Sequence, residues 1–108
     1  MFFFNWEYYA NKYIDLINTG INNEKEALNH WLKYGKTEER IYTDIPIYFD
    51  WKIYLLNNTD LLISGINTEE KAWRHYIYHG YIERRYLSIE SLVKIYCVTK
   101  KLNNHIKL

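Results

Sequence analysis

The sequence predicts an all-α fold: two tandem helical-hairpin repeats followed by a C-terminal capping helix. Three observations lead there. Phe4–Tyr42 aligns without a gap on Phe49–Leu87 at an offset of 45, with 14 identities in 39 positions. A period of this size marks stacked supersecondary units. Apolar residues in both copies recur at helical spacing, and Asn, Asp and Gly punctuate both at matching places.

Taken in order, the first helix of each copy starts at an N-cap type, Asn5 or Asp50. Trp6, Tyr9, Tyr13, Leu16 and Ile17 form its apolar set in copy one. Trp51, Tyr54, Leu55, Leu61 and Leu62 do so in copy two, where Asn57-Asn58-Thr59 predicts a break before Asp60. Gly20 and Gly65 stand where a helix ends in a left-handed residue. The second helix is expected to start from Asn22 or Asn67 as N-caps, with Glu24 and Glu69 in the first turn favoured by the helix dipole. Asn67 and Glu70 also make a capping-box pattern. Ala27, Leu28, Trp31 and Leu32, and in copy two Ala72, Trp73, Tyr76 and Ile77, give one continuous stripe. Gly35 and Gly80 are expected to close that helix as C′ residues.

The expected organisation is a single domain over 1–108. Repeat 1 covers 4–42, a connection 43–48, repeat 2 49–87, and a C-terminal helix and tail 88–108. The connection holds the one proline, Pro46, and is short and apolar, so the copies are expected to pack on each other. In the tail, Ser88 is a cap type, and Ile89, Leu92, Val93 and Tyr96 fall on one helical face. Terminal elements of repeat arrays are commonly atypical caps, and the alternative use of this face is dimerisation.

Composition narrows the function classes. The 12 tyrosines and 4 tryptophans suit a core of large rings with polar tips. The net charge of +1 carries no global signature of nucleic-acid binding, yet its distribution is uneven. Residues 1–87 hold ten Lys and Arg against twelve Asp and Glu, and 88–108 hold four Lys against one Glu. The single Cys97 excludes an internal disulfide and fits a reducing compartment. The apolar start, Met1–Phe4, lacks a basic region and a cleavage site, and no long apolar run spans a membrane. The expectation is an intracellular protein, in cytoplasm or a virus particle, that is not secreted.

The series Phe49, Asp50, Tyr54, Leu55, Asp60, Leu61, Gly65, Ile66, Ala72, His75, Tyr76, Gly80, Glu83 and Arg85 resembles a short tandem helical repeat family. That repeat occurs in giant-virus and virus-associated proteins and beside bacterial glycosyltransferase domains. Copy one departs from the pattern at Asn5, Ala10 and Trp31. The usual proline before the Asp-Leu pair is Ile14 in one copy and Thr59 in the other. The resemblance covers about four-fifths of the chain. It implies an accessory module without an assigned reaction, and the Asn-, Lys- and Ile-rich composition is similar to that of giant viruses and their mobile elements.

Candidate site residues follow from recurrence. His30, Glu38 and Arg40 return as His75, Glu83 and Arg85, and a unit written twice must fold twice. A structural network is therefore expected, with His bridging a buried ring layer and Glu pairing with Arg across the post-glycine turn. A ligand bound once per repeat is the functional alternative. His75 and His79 share a helical face, but copy one has Tyr34 in place of His79, so no metal is expected. Glu38-Glu39 and Glu69-Glu70 are sequence neighbours whose side chains diverge, poor geometry for acid–base work. Cys97 lacks an evident base. No catalytic residue or cofactor is expected.

The expected function is non-enzymatic: a protein–protein interaction or structural module, viral or of a virus-associated mobile element, with a protein partner or a second copy of itself. The alternative is a nucleic-acid-associated protein. It would use Arg84, Lys94, Lys100, Lys101 and Lys107 with Tyr81, Tyr86 and Tyr96 interleaved, because cations neutralise phosphates and rings stack on bases.

Overall fold

A computed structural model of the chain describes residues 2–85, and all of their regular structure is helical. Two compact units divide at the connection: Met1–Ile45 and Pro46–Leu108. The first unit contains α1 (Trp6–Lys12), α2 (Ile14–Thr19) and α3 (Glu24–His30), which runs on into a π-helical turn, Trp31–Gly35. The second contains α4 (Trp51–Leu56), α5 (Thr59–Ile63) and α6 (Glu69–His75), with a π turn at Tyr76–Gly80. The predicted C-terminal helix lies outside the described residues.

Capping explains the helix starts. The Asn5 side chain accepts from the Tyr8 amide, and Asp50 accepts from Lys52 and Ile53. Each satisfies donors that no helical carbonyl can reach. The break expected in copy two is present between Leu56 and Thr59, and copy one has its own at Tyr13, which is extended at φ −108°. Gly20 and Gly65 are left-handed, at φ 72° and 99°.

Two cap assignments change. The N-caps of α3 and α6 are Asn23 and Thr68, one residue beyond Asn22 and Asn67. Their side chains accept from the Glu26 and Lys71 amides. Ala27 in α3 and its counterpart Ala72 in α6 are fully buried. Gly35 and Gly80 are not C′ residues either. The left-handed residues after these helices are Glu39 and Arg84, at φ 53° and 59°. The Arg40 amide donates to Gly35 O at 2.9 Å and the Glu39 amide to Lys36 O at 3.2 Å, the paired closure of a Schellman motif. Arg85 to Gly80 O and Arg84 to Tyr81 O repeat it at 2.9 and 3.2 Å.

α1 packs on α3, and α4 on α6. Phe4, Tyr9, Ala10, Leu16, Ala27 and Trp31 are buried in the first unit, and all six residues 45 positions later are buried in the second. Phe4 lies 5.5 Å from Tyr9 and 5.7 Å from Trp31 between ring centroids, while Phe49 lies 5.4 Å from Tyr54 and 5.8 Å from Tyr76. After the first π turn, Ile41 and Tyr42 are buried, the Tyr42 ring lies 4.9 Å from Trp31 between centroids, and Tyr42 O accepts from the Asn5 amide at 3.0 Å. Some predicted stripe residues point outward instead: Ile17, Leu32 and Leu62 are exposed, as are Ile47 and Tyr48 in the connection. Among the described residues, no helix is long and apolar enough to cross a membrane.

Candidate functional site

Each unit holds one polar cluster, built where its short second helix meets the turn after its π segment. In copy one, the break at Tyr13 places Asp15 in the first turn of α2. Arg40 donates from Nη1 and Nη2 to the two Asp15 oxygens at 2.9 and 2.8 Å, and from Nε to Glu38 at 2.8 Å. In copy two, Arg85 meets Asp60 at 3.0 and 2.9 Å and Glu83 at 2.8 Å. The rigid guanidinium fork matches a carboxylate bidentately, which a lysine does not.

One position inside the cluster differs between copies. Tyr13 lies under the Arg40 guanidinium, 4.7 Å from ring centroid to Cζ, and its hydroxyl accepts from the Ile41 amide at 2.6 Å. The equivalent Asn58 instead accepts from Arg85 Nη1 at 3.0 Å. Cation–π contact and hydrogen bond are two solutions to holding the same guanidinium.

The histidines belong to a second layer. Tyr9 Oη and His30 Nδ1 share a hydrogen bond of 2.8 Å, and Tyr54 Oη and His75 Nδ1 share one of the same length. Tyr9 and Tyr54 are fully buried, and their hydroxyls lie against Gly35 and Gly80, where an added Cβ would overlap them. Glycine is needed here for close approach rather than for a left-handed backbone.

These surroundings shift several of the titratable groups. Burial pushes the Tyr9 and Tyr54 hydroxyls far above the ordinary tyrosine value. The hydrogen bonds from Arg40 and Arg85 hold Asp15 and Asp60 below the usual carboxylate range, and those carboxylates in turn raise the two arginines. Burial, followed by the nearby Arg85 charge, lowers His75. Each cluster thus sets a hydrogen-bonded Tyr–His pair beside an Asp–Arg–Glu set joined by ion pairs. No buried side-chain N or O among the described residues lacks a hydrogen-bond partner.

The arrangement brings His30, Glu38 and Arg40 into one unit, and His75, Glu83 and Arg85 into the other, as two layers flanking the tyrosine. Sequence reasoning missed Asp15 and Asp60 as members. Both were visible as identities just after a helix break, the position from which a carboxylate reaches back to an arginine. His75 and His79 have ring centroids 5.6 Å apart, with His75 Nδ1 engaged by Tyr54. Among the described residues, no group of three or more His, Cys, Asp or Glu is placed to hold a metal. Arg84 is exposed. Lys94, Cys97, Lys100, Lys101 and Lys107 lie outside the described residues.

One shallow, open cleft of about 420 Å³ lies on the first unit, lined by Asn5, Glu7, Tyr8, Asn11, Lys12 and Asp44. Part of its polar lining is already engaged, since Asn5 Nδ2 donates to Asp44 at 2.6 Å and Asn11 Nδ2 to Glu7 O at 2.8 Å. In comparisons with family models, curated proteins and solved structures, nothing matches the chain.

Proposed function

We propose that this protein is a non-enzymatic binding module whose partner is another protein, of the kind that serves as an interaction or structural accessory in viruses and their mobile elements. One observation carries the reading. The short second helix of each copy exposes two large aliphatic side chains, Ile14 and Ile17 on α2 and Leu62 and Ile63 on α5. Ile17 and Leu62 occupy the same repeat position. Single exposed aliphatic residues are ordinary, but a pair on one short helix of each copy, one member of which recurs in register, is what a partner surface supplies. The recurring polar residues, by contrast, are engaged with one another inside each unit.

The test is affinity capture from extracts of source or host cells, comparing the wild-type chain with the variant Ile17→Asp plus Leu62→Asp. Protein partners retained by the wild type and lost by the variant, at unchanged helical circular dichroism, support the reading. Identical capture by both sinks it. A second reading rests on the excess of lysine in 88–108 and the exposed Arg84. It predicts salt-sensitive DNA binding by fluorescence anisotropy, abolished by charge reversal at Lys94, Lys100 and Lys101.

A further inference from the structure

The two copies differ in how far one stripe of the helix that ends in the π turn is covered. In copy one that stripe reads Glu24, Leu28, Leu32, Lys36, each four residues after the last. In copy two it reads Glu69, Trp73, Ile77, Tyr81. Ile77 is 2% exposed and Trp73 1%, whereas Leu32 is 55% exposed and Leu28 half-buried. The same register position is thus covered in one copy and open in the other.

The π turn limits how far this row drifts around the helix. In an α-helix, a step of four residues overshoots one turn, so such a stripe drifts around the axis. The wider π turn at Trp31–Gly35 closes through five-residue bonds, Lys36 N to Trp31 O at 2.7 Å among them, and there a step of four undershoots. The two drifts oppose each other. Glu24 and Lys36 are both exposed, at opposite ends of an apolar centre.

An acid–apolar–apolar–base row is complementary to its own reverse. Set antiparallel about a two-fold axis, it places Leu28 against the partner copy's Leu32 and Glu24 against the partner copy's Lys36, each contact occurring twice. The copy-two row, ending in Tyr81, lacks the basic end and has no such match. We infer that the Glu24–Leu28–Leu32–Lys36 face is the isologous interface of a homodimer, with a second copy of this chain as its occupant. This inference goes beyond the binding reading above: it concerns a different face, and its occupant is a second copy of this chain. The face is narrow, well below the area of a standard interface, so association is weak, with a dissociation constant on the order of 10–100 µM.

Sedimentation velocity of the full chain, from about ten-fold below to ten-fold above that range, tests it. The expected result is a mass that climbs from monomer to dimer and falls back as salt is added, because exposed charge pairs are screened. Glu24→Lys and Lys36→Glu each set two like-charge contacts into the dimer and weaken it about tenfold. An equimolar mixture of those two variants recovers association, since each of its cross-contacts again joins opposite charges. Unaltered circular dichroism confirms that both variants fold, as expected for exposed positions. A monomer at every concentration overturns the inference, as does a dimer indifferent to either single substitution or a mixture no tighter than its components. Monomeric chains that still capture partners through Ile17 and Leu62 overturn the dimer and leave the binding reading standing. A dimer with the predicted charge dependence, in a chain whose capture ignores those two residues, does the reverse.

Discussion

Gly35 and Tyr9 show how a residue can be recognised as important before its reason is known. Recurrence of Gly35 at Gly80 signals a constraint, and helix punctuation is the ordinary reason for a glycine there. The actual reason is three-dimensional: the Tyr9 hydroxyl, held by His30, occupies the space a side chain would need. No local pattern reveals that, because the tyrosine comes from a helix 26 positions earlier. The contrast with Gly20 and Gly65 is sharp, since a Cβ at either would meet nothing within 4 Å and only their positive φ favours glycine. Gly35→Ala is expected to destabilise the protein by about 2–3 kcal/mol through overpacking, against about 1 kcal/mol for Gly20→Ala. Because the nearest overlap is with the tyrosine hydroxyl, adding Tyr9→Phe recovers part of the loss. Urea denaturation of the two single variants and the double variant measures the coupling, and simple additivity would refute the packing explanation.

At the scale of the element, helix existence was legible and helix edges were not. Asn5, Asp50, Gly20 and Gly65 sit in sequence contexts with one good capping candidate, and each acts as read. Before α3 and α6 the chain offers two candidates in succession, Asn22-Asn23 and Asn67-Thr68. The second of each pair is the cap, its side chain accepting from the amide three residues on, and residue type alone does not separate the two candidates. Asn23→Ala and Thr68→Ala are each expected to cost about 1 kcal/mol, and Asn22→Ala and Asn67→Ala less than about 0.5 kcal/mol. Thermal unfolding of the four variants checks the order, and equal losses would return the caps to the earlier residues. The helix ends were hidden for a related reason. A five-residue turn carries each chain past Gly35 and Gly80, and the left-handed position falls on Glu39 and Arg84, which composition does not mark.

For the whole molecule, the repeat read from 14 identities implies one local architecture written twice, each copy closed by its own Asp–Arg–Glu set and Tyr–His pair. The recurring histidines and the Glu-x-Arg pairs were legible as a set because a duplicated fold keeps what it needs. Asp15 and Asp60 were passed over as site members because they stand 25 residues from their arginines, and spacing along the chain does not show that the two meet. The outward turn of Ile17, Leu32 and Leu62 was also illegible. A helical stripe shows which residues share a face, while how much of that face is covered depends on what packs there. On the reading proposed above, binding falls to uncovered apolar residues, of which Ile17 and Leu62 share a repeat position, while the shared polar residues are engaged with one another inside each unit.

Residue-resolved amide hydrogen exchange tests the duplicated architecture most directly. Protected amides are expected in pairs 45 positions apart: Tyr9 with Tyr54, Ala27 with Ala72, and above all Arg40 with Arg85, which donate to Gly35 and Gly80. Protection within each pair should agree to about tenfold, corresponding to about 1.4 kcal/mol in opening free energy. One copy protected at these amides while its counterparts exchange like an unstructured chain would contradict the account.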